Sequence, residues 1–335
     1  MHSSLEGFYR NKNVLVAGGT GTIGIPMVCL LTSAGANVTV ASLDEESFAK
    51  SVLPQDVDYI RIDLTDERNC LTVCKGRDMV FNLVGIKGSV GIGESKVASY
   101  LVPMLRFQTN LMDAAHKESV SHFLFVSSIC AYPQSNQPKQ EESAWDGMPR
   151  QNDRIPGLAK RIGEIQAEAY KLEFGWDGIK VIRPSNVFGP FDDFNPKTAQ
   201  VIPALIARIH SDENPLKVWG SGDVVRDFIF SEDLAYWLLK AMKDAPGSTP
   251  INIGSGEPIT IQTIVETIVS VSNEKPVVEW QESGPAGDPY RLLSIERARE
   301  LIDYQPMTSL ADGLRKTIEW FLENKDLAIN GRRKH

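Results

Sequence analysis

The run Phe123-Leu124-Phe125-Val126 ends in Ser127 and Ser128, and Cys130 stands two residues further on. A buried apolar strand that ends this way delivers hydroxyl and thiol groups to the carboxyl edge of a sheet, where open α/β folds bind their ligands. A serine hydroxyl can polarise a carbonyl or hydroxyl oxygen. A thiol can take an acidic proton once its pKa is lowered. Lys160, where a helix is beginning, adds a cation to the set. A second cluster lies near the amino terminus, where Val14-Leu15-Val16-Ala17 runs into Gly18-Gly19-Thr20-Gly21-Thr22-Ile23-Gly24 and an apolar helical pattern follows from Ile25 to Ala34. Strand, glycine loop and helix in that order mark a dinucleotide site. Glycines allow the tight turn and the close approach of a pyrophosphate, and the helix N-terminus offers free N–H groups and a positive dipole end.

These groups need a frame. Apolar, β-branched runs at Asn13–Ala17, Asn37–Ala41, Tyr59–Ile62, Met79–Val84, Phe123–Ser127 and Lys180–Ile182 alternate with helical patterns near Ile23–Ala34, Asp66–Lys75, Val97–Glu118 and Gly157–Phe174. The alternation predicts an α/β fold, a doubly wound parallel Rossmann sheet covered on both faces. After Pro184 the pattern changes to short elements separated by Pro-, Gly- and Asn/Asp-rich loops, with helices expected at Val201–His210, Ser231–Lys243, Ile261–Ser272, Ile295–Ile302 and Leu310–Asn324. This reads as a smaller C-terminal α/β substrate lobe. The division expected is residues 1–183 for the dinucleotide, joined by segments near 225–255 that return to its sheet (Asp227–Phe230 and Ile251–Ile253), with 184–224 and 256–330 for the substrate. Pro133–Pro156 is polar and aperiodic, and reads as a long functional loop.

Composition narrows the partners. The chain has 335 residues, 42% apolar and 23% charged, with a formal net charge of −8. That balance argues against nucleic acid, which needs a basic face. No apolar run approaches the roughly 18 residues of a membrane span, and the first residues carry no apolar leader core, so a cytoplasmic protein is expected. Four cysteines do not make a disulfide framework. Cys70 and Cys74, four apart, read as small buried hydrophobes rather than a metal pair, and no metal site is expected. The second strand ends at Ala41, where an adenosine ribose belongs. Ser42 follows, and Asp44 could hydrogen-bond the ribose or equally cap the helix expected over Glu45–Lys50. No Arg or Lys occurs in the glycine loop or in Ala41–Glu46 to hold a 2′-phosphate, which favours NAD, although Ser42 also admits NADP. Asp63 could touch adenine or cap the turn that follows it. Lys87, in the glycine-rich loop after the fourth strand, could reach a sugar or remain a solvated loop lysine.

The glycine loop, the Ser127-Ser128 strand end, Arg183-Pro184-Ser185-Asn186-Val187-Phe188-Gly189-Pro190 and Trp219-Gly220-Ser221-Gly222-Asp223-Val224-Val225-Arg226-Asp227-Phe228 together resemble the extended short-chain dehydrogenase/reductase family, the NAD-dependent epimerases and dehydratases of nucleotide-diphosphate sugars. Phe123–Pro133, Asn186–Arg208 and Val218–Phe228 are most similar to its GDP-L-fucose synthase branch, which works on 4-keto sugars. The resemblance implies a homodimer through the long helices Val97–Glu118 and Gly157–Phe174. It implies cofactor contacts from Gly18, Thr20, Gly21, Thr22, Ile23, Gly24, Ser42, Asp63, Leu64, Leu83, Val84 and Lys160. For a nucleotide-diphosphate sugar, a GDP-sugar above others, it implies Lys87, Asn186, Val201, Leu205, Arg208, Trp219, Arg226 and Arg291. Ser128 and Lys160 fall on the family's catalytic serine and lysine, and Cys130 on the epimerase cysteine.

Two positions depart from the pattern. The tyrosine of the family's Tyr-x-x-x-Lys falls on Pro156, and the histidine that partners the cysteine falls on Gln200. Proline has no proton to exchange, and general acid–base catalysis contributes roughly 10²–10⁴-fold. A proline suits the first position of a helix, so the fold tolerates what the chemistry does not. Tyr132, the phenol closest in sequence to the site, could replace the missing one, but reads rather as packing beneath the loop. Two functions follow from this set: an atypical oxidoreductase or epimerase acting at a 4-keto sugar, or a catalytically silent dinucleotide- or sugar-nucleotide-binding protein.

Overall fold

The computed structural model describes residues 2–86, 97–211, 213–272, 274–281 and 288–330. Its strands are β1 Asn13–Ala17, β2 Asn37–Ser42, β3 Asp58–Arg61, β4 Met79–Asn82, β5 His122–Val126, β6 Ile179–Pro184, β7 Asn186–Phe188, β8 Leu216–Trp219, β9 Val225–Arg226, β10 Phe228–Phe230, β11 Ile251–Ile253, β12 Ile259–Thr260, β13 Val278–Gln281 and β14 Tyr290–Arg291. Seven of them form one sheet in the order β11-β6-β5-β4-β1-β2-β3, every pair parallel. Between β1 and β4 the order reverses, and the crevice outside that reversal is where such a sheet holds a ligand.

The inner strands are buried along nearly their whole length, which is why they read as continuous apolar runs. Helices cover both faces. On one lie α1 (His2–Tyr9), α2 (Gly24–Ser33) and, from later in the chain, Ser231–Asp244, around Met27, Leu31, Trp237 and Leu238. On the other lie Glu67–Cys74, Val97–Lys117 and Arg154–Phe174, around Cys70, Cys74, Leu111 and Ala167. With α3 at Glu46–Val52, these are α4 (Glu67–Cys74), α5 (Val97–Lys117), α6 (Arg154–Phe174), α7 (Val201–Ile209), α8 (Ser231–Asp244), α9 (Ile261–Val271), α10 (Glu296–Ile302), α11 (Leu310–Glu323) and α12 (Lys325–Asn330). A further core, around Phe194, Ile206, Leu216, Ile264 and Phe321, belongs to the carboxyl-terminal half. Cys70 and Cys74 are fully buried, as small hydrophobes on one helix should be.

Three expectations change. Ile251–Ile253 does return to the large sheet beside β6, but Phe228–Phe230 pairs with β7 in a separate two-stranded ribbon. The segment after Pro133 is not an open loop. Short 3₁₀ turns at Glu141–Trp145 and Gln151–Asp153 fold it down, and a bridge from Lys139 to Leu293 stitches it to the chain beside β14. The helix expected from Gly157 starts at Arg154, which makes Pro156 its third residue rather than its first. A proline costs nothing there, because the first four N–H groups of a helix have no partner within it.

Candidate active site

The glycine loop leaves β1 through Gly18, whose φ of +80° is open to glycine and strained for other residues. A side-chain carbon on Gly18 would press on the backbone of Leu83 and Val84 at 3.1 Å, and one on Gly24 would strike Gly18 and Gly19 at 2.6 Å. Those two glycines let the loop close on itself. A carbon on Gly21 would meet Gly18 O at 3.3 Å and nothing else within 4 Å, so this glycine leaves a cradle facing outward. A pyrophosphate at the start of α2 fits that opening.

The ribose end is acidic. Thr20 Oγ1 donates to Asp44 at 2.6 Å and lies 3.0 Å from Ser42 Oγ, and the Tyr59 hydroxyl donates to the Asp44 carbonyl at 2.5 Å. Asp44 is therefore turned to the glycine loop. It does not cap the next helix, whose N-cap is Glu45. Arg61, whose Nε donates to the Leu43 carbonyl at 3.3 Å, is held by Glu45 at 2.8 Å. The side chains of Thr20 and Thr22 are buried, with Thr22 donating to the Phe191 carbonyl at 3.1 Å. Ile23 packs on the core. Leu64 is buried against Cys70, whose thiol donates to its carbonyl. Asp63 caps its own turn by accepting from Thr65 N at 2.8 Å. Leu83 and Val84 follow β4 under the loop, and the buried Asn82 fixes that exit by accepting from Val84 N at 3.2 Å.

Across the switch point, β5 ends at Val126 and Ser128 caps a short 3₁₀ turn, Ile129–Ala131, accepting from Cys130 N at 3.1 Å. The first turn of α6 packs directly on this turn. A side chain at Gly157 would collide with the Cys130 carbonyl oxygen. Lys160, one turn further along, donates from Nζ to the Val126 carbonyl at 2.8 Å and lies 5.1 Å from the Phe125 ring centre. Burial brings its pKa down to about 8, against the pull of Cys130 and Glu164. Cys130 is partly exposed, and its sulfur accepts from Arg291 Nη2 at 3.7 Å. Burial pushes the thiol's pKa up, the Asp153 carboxylate pushes it further, and Arg291 and Ser128 pull it back. Arg291 reaches Asp153 with its other nitrogen at 3.0 Å.

The residues that the family resemblance assigns to the substrate divide in two. Arg226 and Arg291 stand opposite each other on paired strands β9 and β14. Burial, with Arg291 and Arg150 close by, brings the pKa of Arg226 down to about 10. Crowded cations of this kind suit an anion. Arg208, by contrast, is held by Glu213 through two bonds, one of 2.8 Å, and its pKa is raised by that partner. Asn186 donates to the Asp227 carbonyl at 2.8 Å, Val201 is partly buried and Leu205 buried in α7, and Trp219 is 67% exposed at the end of β8. Lys87 lies outside the described residues.

Several groups at this edge escaped the sequence reading: Asp153, Arg150, Tyr100 and Lys139. Asp153 is a charge shared by Cys130, Arg226, Arg291 and Tyr100, and it sits one helical turn before Pro156. An acidic residue beside a helix start is the one signal that could have flagged it. Tyr132 is buried, with its hydroxyl donating to Asn252 at 2.6 Å and accepting from Arg183 at 2.9 Å, as befits packing beneath the loop. A cavity of about 210 Å³ lined by Phe188, Phe230, Tyr304 and Leu310 shares no residue with the site.

The comparisons with known proteins agree with this geometry. GDP-L-fucose synthase 1 of Arabidopsis thaliana is 28% identical over 322 residues, 94% of each chain. GDP-L-fucose synthase of Escherichia coli is 32% identical over 263 residues, 74% of this chain and 81% of its own. Among solved structures, the epimerase Mth375 of Methanothermobacter thermautotrophicus superposes with a TM-score of 0.86 at 26% identity, covering 98% of this chain and 97% of that one. The model of the NAD dependent epimerase/dehydratase family matches residues 14–254, which makes NAD(P) the cofactor that the Gly21 cradle fits. Well over half of the chain lies in that match, and the chain belongs to the NAD-dependent epimerase/dehydratase family.

Proposed function

We propose that this protein is a nucleotide-diphosphate-sugar oxidoreductase or epimerase that works at a 4-keto sugar, on a GDP-sugar before others. The observation that carries the reading is the convergence at one sheet edge of Ser128, Cys130 and Lys160 with the paired arginines Arg226 and Arg291. Residues 1–183 with β11 hold the dinucleotide, and 184–224 with 256–330 hold the nucleotide sugar.

The backbone of Gly18–Gly24 takes the pyrophosphate, and Asp44 takes the adenosine ribose and repels a 2′-phosphate, so NAD is favoured over NADP. When bound, the nicotinamide supplies or accepts the hydride. Ser128 and Lys160 polarise the sugar oxygen. Arg226 and Arg291 hold the diphosphate with Asn186 near it, and Trp219, Val201 and Leu205 line the nucleobase end. Among the described parts of α5 and α6, Val102, Ile162, Ile165 and Leu172 are exposed apolar residues, which supports a homodimer through these helices. We place the protein in the cytoplasm, where its four free thiols stay reduced.

The test is the absorbance of NADH mixed with the protein and a panel of GDP-, dTDP- and UDP-linked sugars, 4-keto forms included. Oxidation with a GDP-linked 4-keto sugar is the expected result. A second reading, a silent binder, is favoured by Pro156 and Gln200. It is established if dinucleotide and GDP-sugar both bind, neither NAD nor NADH changes with any sugar offered, and every sugar is recovered unchanged, with no epimer or dehydrated product.

A further inference from the structure

The proposed reaction needs a proton donor at the sugar oxygen, and Pro156 has none to give. Four groups around Ser128 could take its place. The Tyr132 hydroxyl is committed to a buried network. The Tyr100 hydroxyl donates to the Ile86 carbonyl at 2.5 Å, and burial, with Cys130 and Asp153 adding to it, pushes its pKa up to about 12. The Lys160 ammonium donates to the end of β5 and lies against the Phe125 ring. The Cys130 thiol is different. Its sulfur accepts from Arg291 and lies against the Ser128 hydroxyl, and no carbonyl or carboxylate among the described residues takes its proton. It is partly exposed, it follows Ser128 by two residues, and its backbone is packed against the turn of α6 that contains Pro156.

We propose that the Cys130 thiol gives the sugar oxygen its proton, with Ser128 and Lys160 polarising that oxygen and Arg291 holding the sulfur left behind. The inference rests on the reading of this edge as a nucleotide-sugar reductase site. The S–H bond breaks and an O–H bond forms. The carbonyl carbon gains its hydride from reduced nicotinamide, which ends oxidised, and water returns a proton to the thiolate. The groups facing Cys130 suit that direction of transfer. Arg291 from β14 and Lys160 from α6 are positive, Asp153 ahead of α6 is negative, and Tyr100 from α5 and Ser128 are neutral hydroxyls. Burial and Asp153 outweigh Arg291 and Ser128 and raise the thiol above its ordinary value, which keeps its proton on at neutral pH. An epimerase base would need the opposite, a thiolate at neutral pH. Asp153 is thus a positioning residue. By holding one nitrogen of Arg291 at 3.0 Å it keeps the guanidinium from acting on sulfur alone.

Iodoacetamide labelling of Cys130, followed by mass across the pH range in a Cys29→Ser background, tests the protonation directly. The expected midpoint lies above about 8.5, and Asp153→Asn should speed labelling at neutral pH by about three- to tenfold. NADH oxidation by a GDP-linked 4-keto sugar should fall at least about 100-fold in Cys130→Ala, with NADH binding unchanged to show that the variant is folded. A labelling midpoint below about 7 overturns the proposal, as does a Cys130→Ala protein that oxidises NADH like wild type. If the wild type oxidises no NADH with any sugar offered, the reductase reading fails and the donor role with it. A working wild type beside an equally active Cys130→Ala sinks the donor role alone.

Discussion

Ser127 and Ser128 follow β5 side by side, and they enter different surroundings. Ser127 is 2% exposed and donates to Glu164. Glu164 grips Arg183 through two bonds of 2.9 and 2.6 Å, and Arg183 spends its remaining nitrogen on the Tyr132 hydroxyl and the Glu141 carbonyl. Asn252 closes the circuit by accepting from Tyr132 and donating to the carbonyls of Lys139 and Ser294. Around Ser128 the charges do not balance in this way. Lys160 has lost part of its proton affinity to burial, the Cys130 thiol has gained some, and Arg226 and Arg291 crowd each other. A buried network whose charges are all paired holds the fold. A neighbouring one with like charges side by side suits an anion.

The largest effect that could break this contrast is on stability. Glu164→Ala leaves the Arg183 guanidinium, 1% exposed, without its carboxylate. Removing one partner of a buried pair costs about 3–5 kcal/mol, and the denaturation midpoint should fall accordingly. A loss under about 1 kcal/mol would mean that Arg183 finds water or another acceptor, and the network would lose its structural role.

A pair of smaller changes sharpens it. Ser127→Ala removes a buried hydrogen bond to a carboxylate and should cost about 1.5–3 kcal/mol, with the sugar reaction kept wherever the protein remains folded. Ser128→Ala removes a cap from a single 3₁₀ turn and should cost nearer about 1 kcal/mol, while turnover falls. Chemical denaturation and NADH oxidation, run on both variants, decide the matter. Equal losses in both measurements would erase the distinction between the two serines.

The dinucleotide edge was legible because its determinants are local. Gly18–Gly24 lies between β1 and α2, and one stretch of chain specifies the turn, the cradle and the helix start. Ser128, Cys130 and Lys160 could be placed for a similar reason, since each sits where a strand ends or a helix begins. Arg183 was not recognised as the centre of a buried network, although an arginine after Val181-Ile182 in an apolar strand needs a partner. That partner, Glu164, comes from the preceding helix and could not be paired from spacing. Asp153 and Lys139 were hidden for a different reason. They lie in a polar stretch that has no period of its own. It is ordered by contacts more than a hundred residues away, as Lys139 pairs with Leu293 and so brings Arg291 beside Cys130.

Arg208 is the residue for which the contrast makes its finest prediction. The family resemblance assigns it, with Arg226 and Arg291, to the nucleotide-diphosphate sugar, yet it is gripped by Glu213, both side chains about one third exposed at 34% and 33%. A pair so open to water is worth about 0–1 kcal/mol, so Arg208→Ala should barely move the denaturation midpoint. If Arg208 exchanges Glu213 for a phosphate, the same variant should weaken GDP binding by about tenfold, the loss of a single charge-assisted hydrogen bond. Glu213→Gln should then tighten it, because the guanidinium no longer has to leave a carboxylate. Calorimetric titration of GDP into the three proteins measures both changes. Affinity that is the same in all three would assign Arg208 to its ion pair with Glu213 and leave the diphosphate to Arg226 and Arg291.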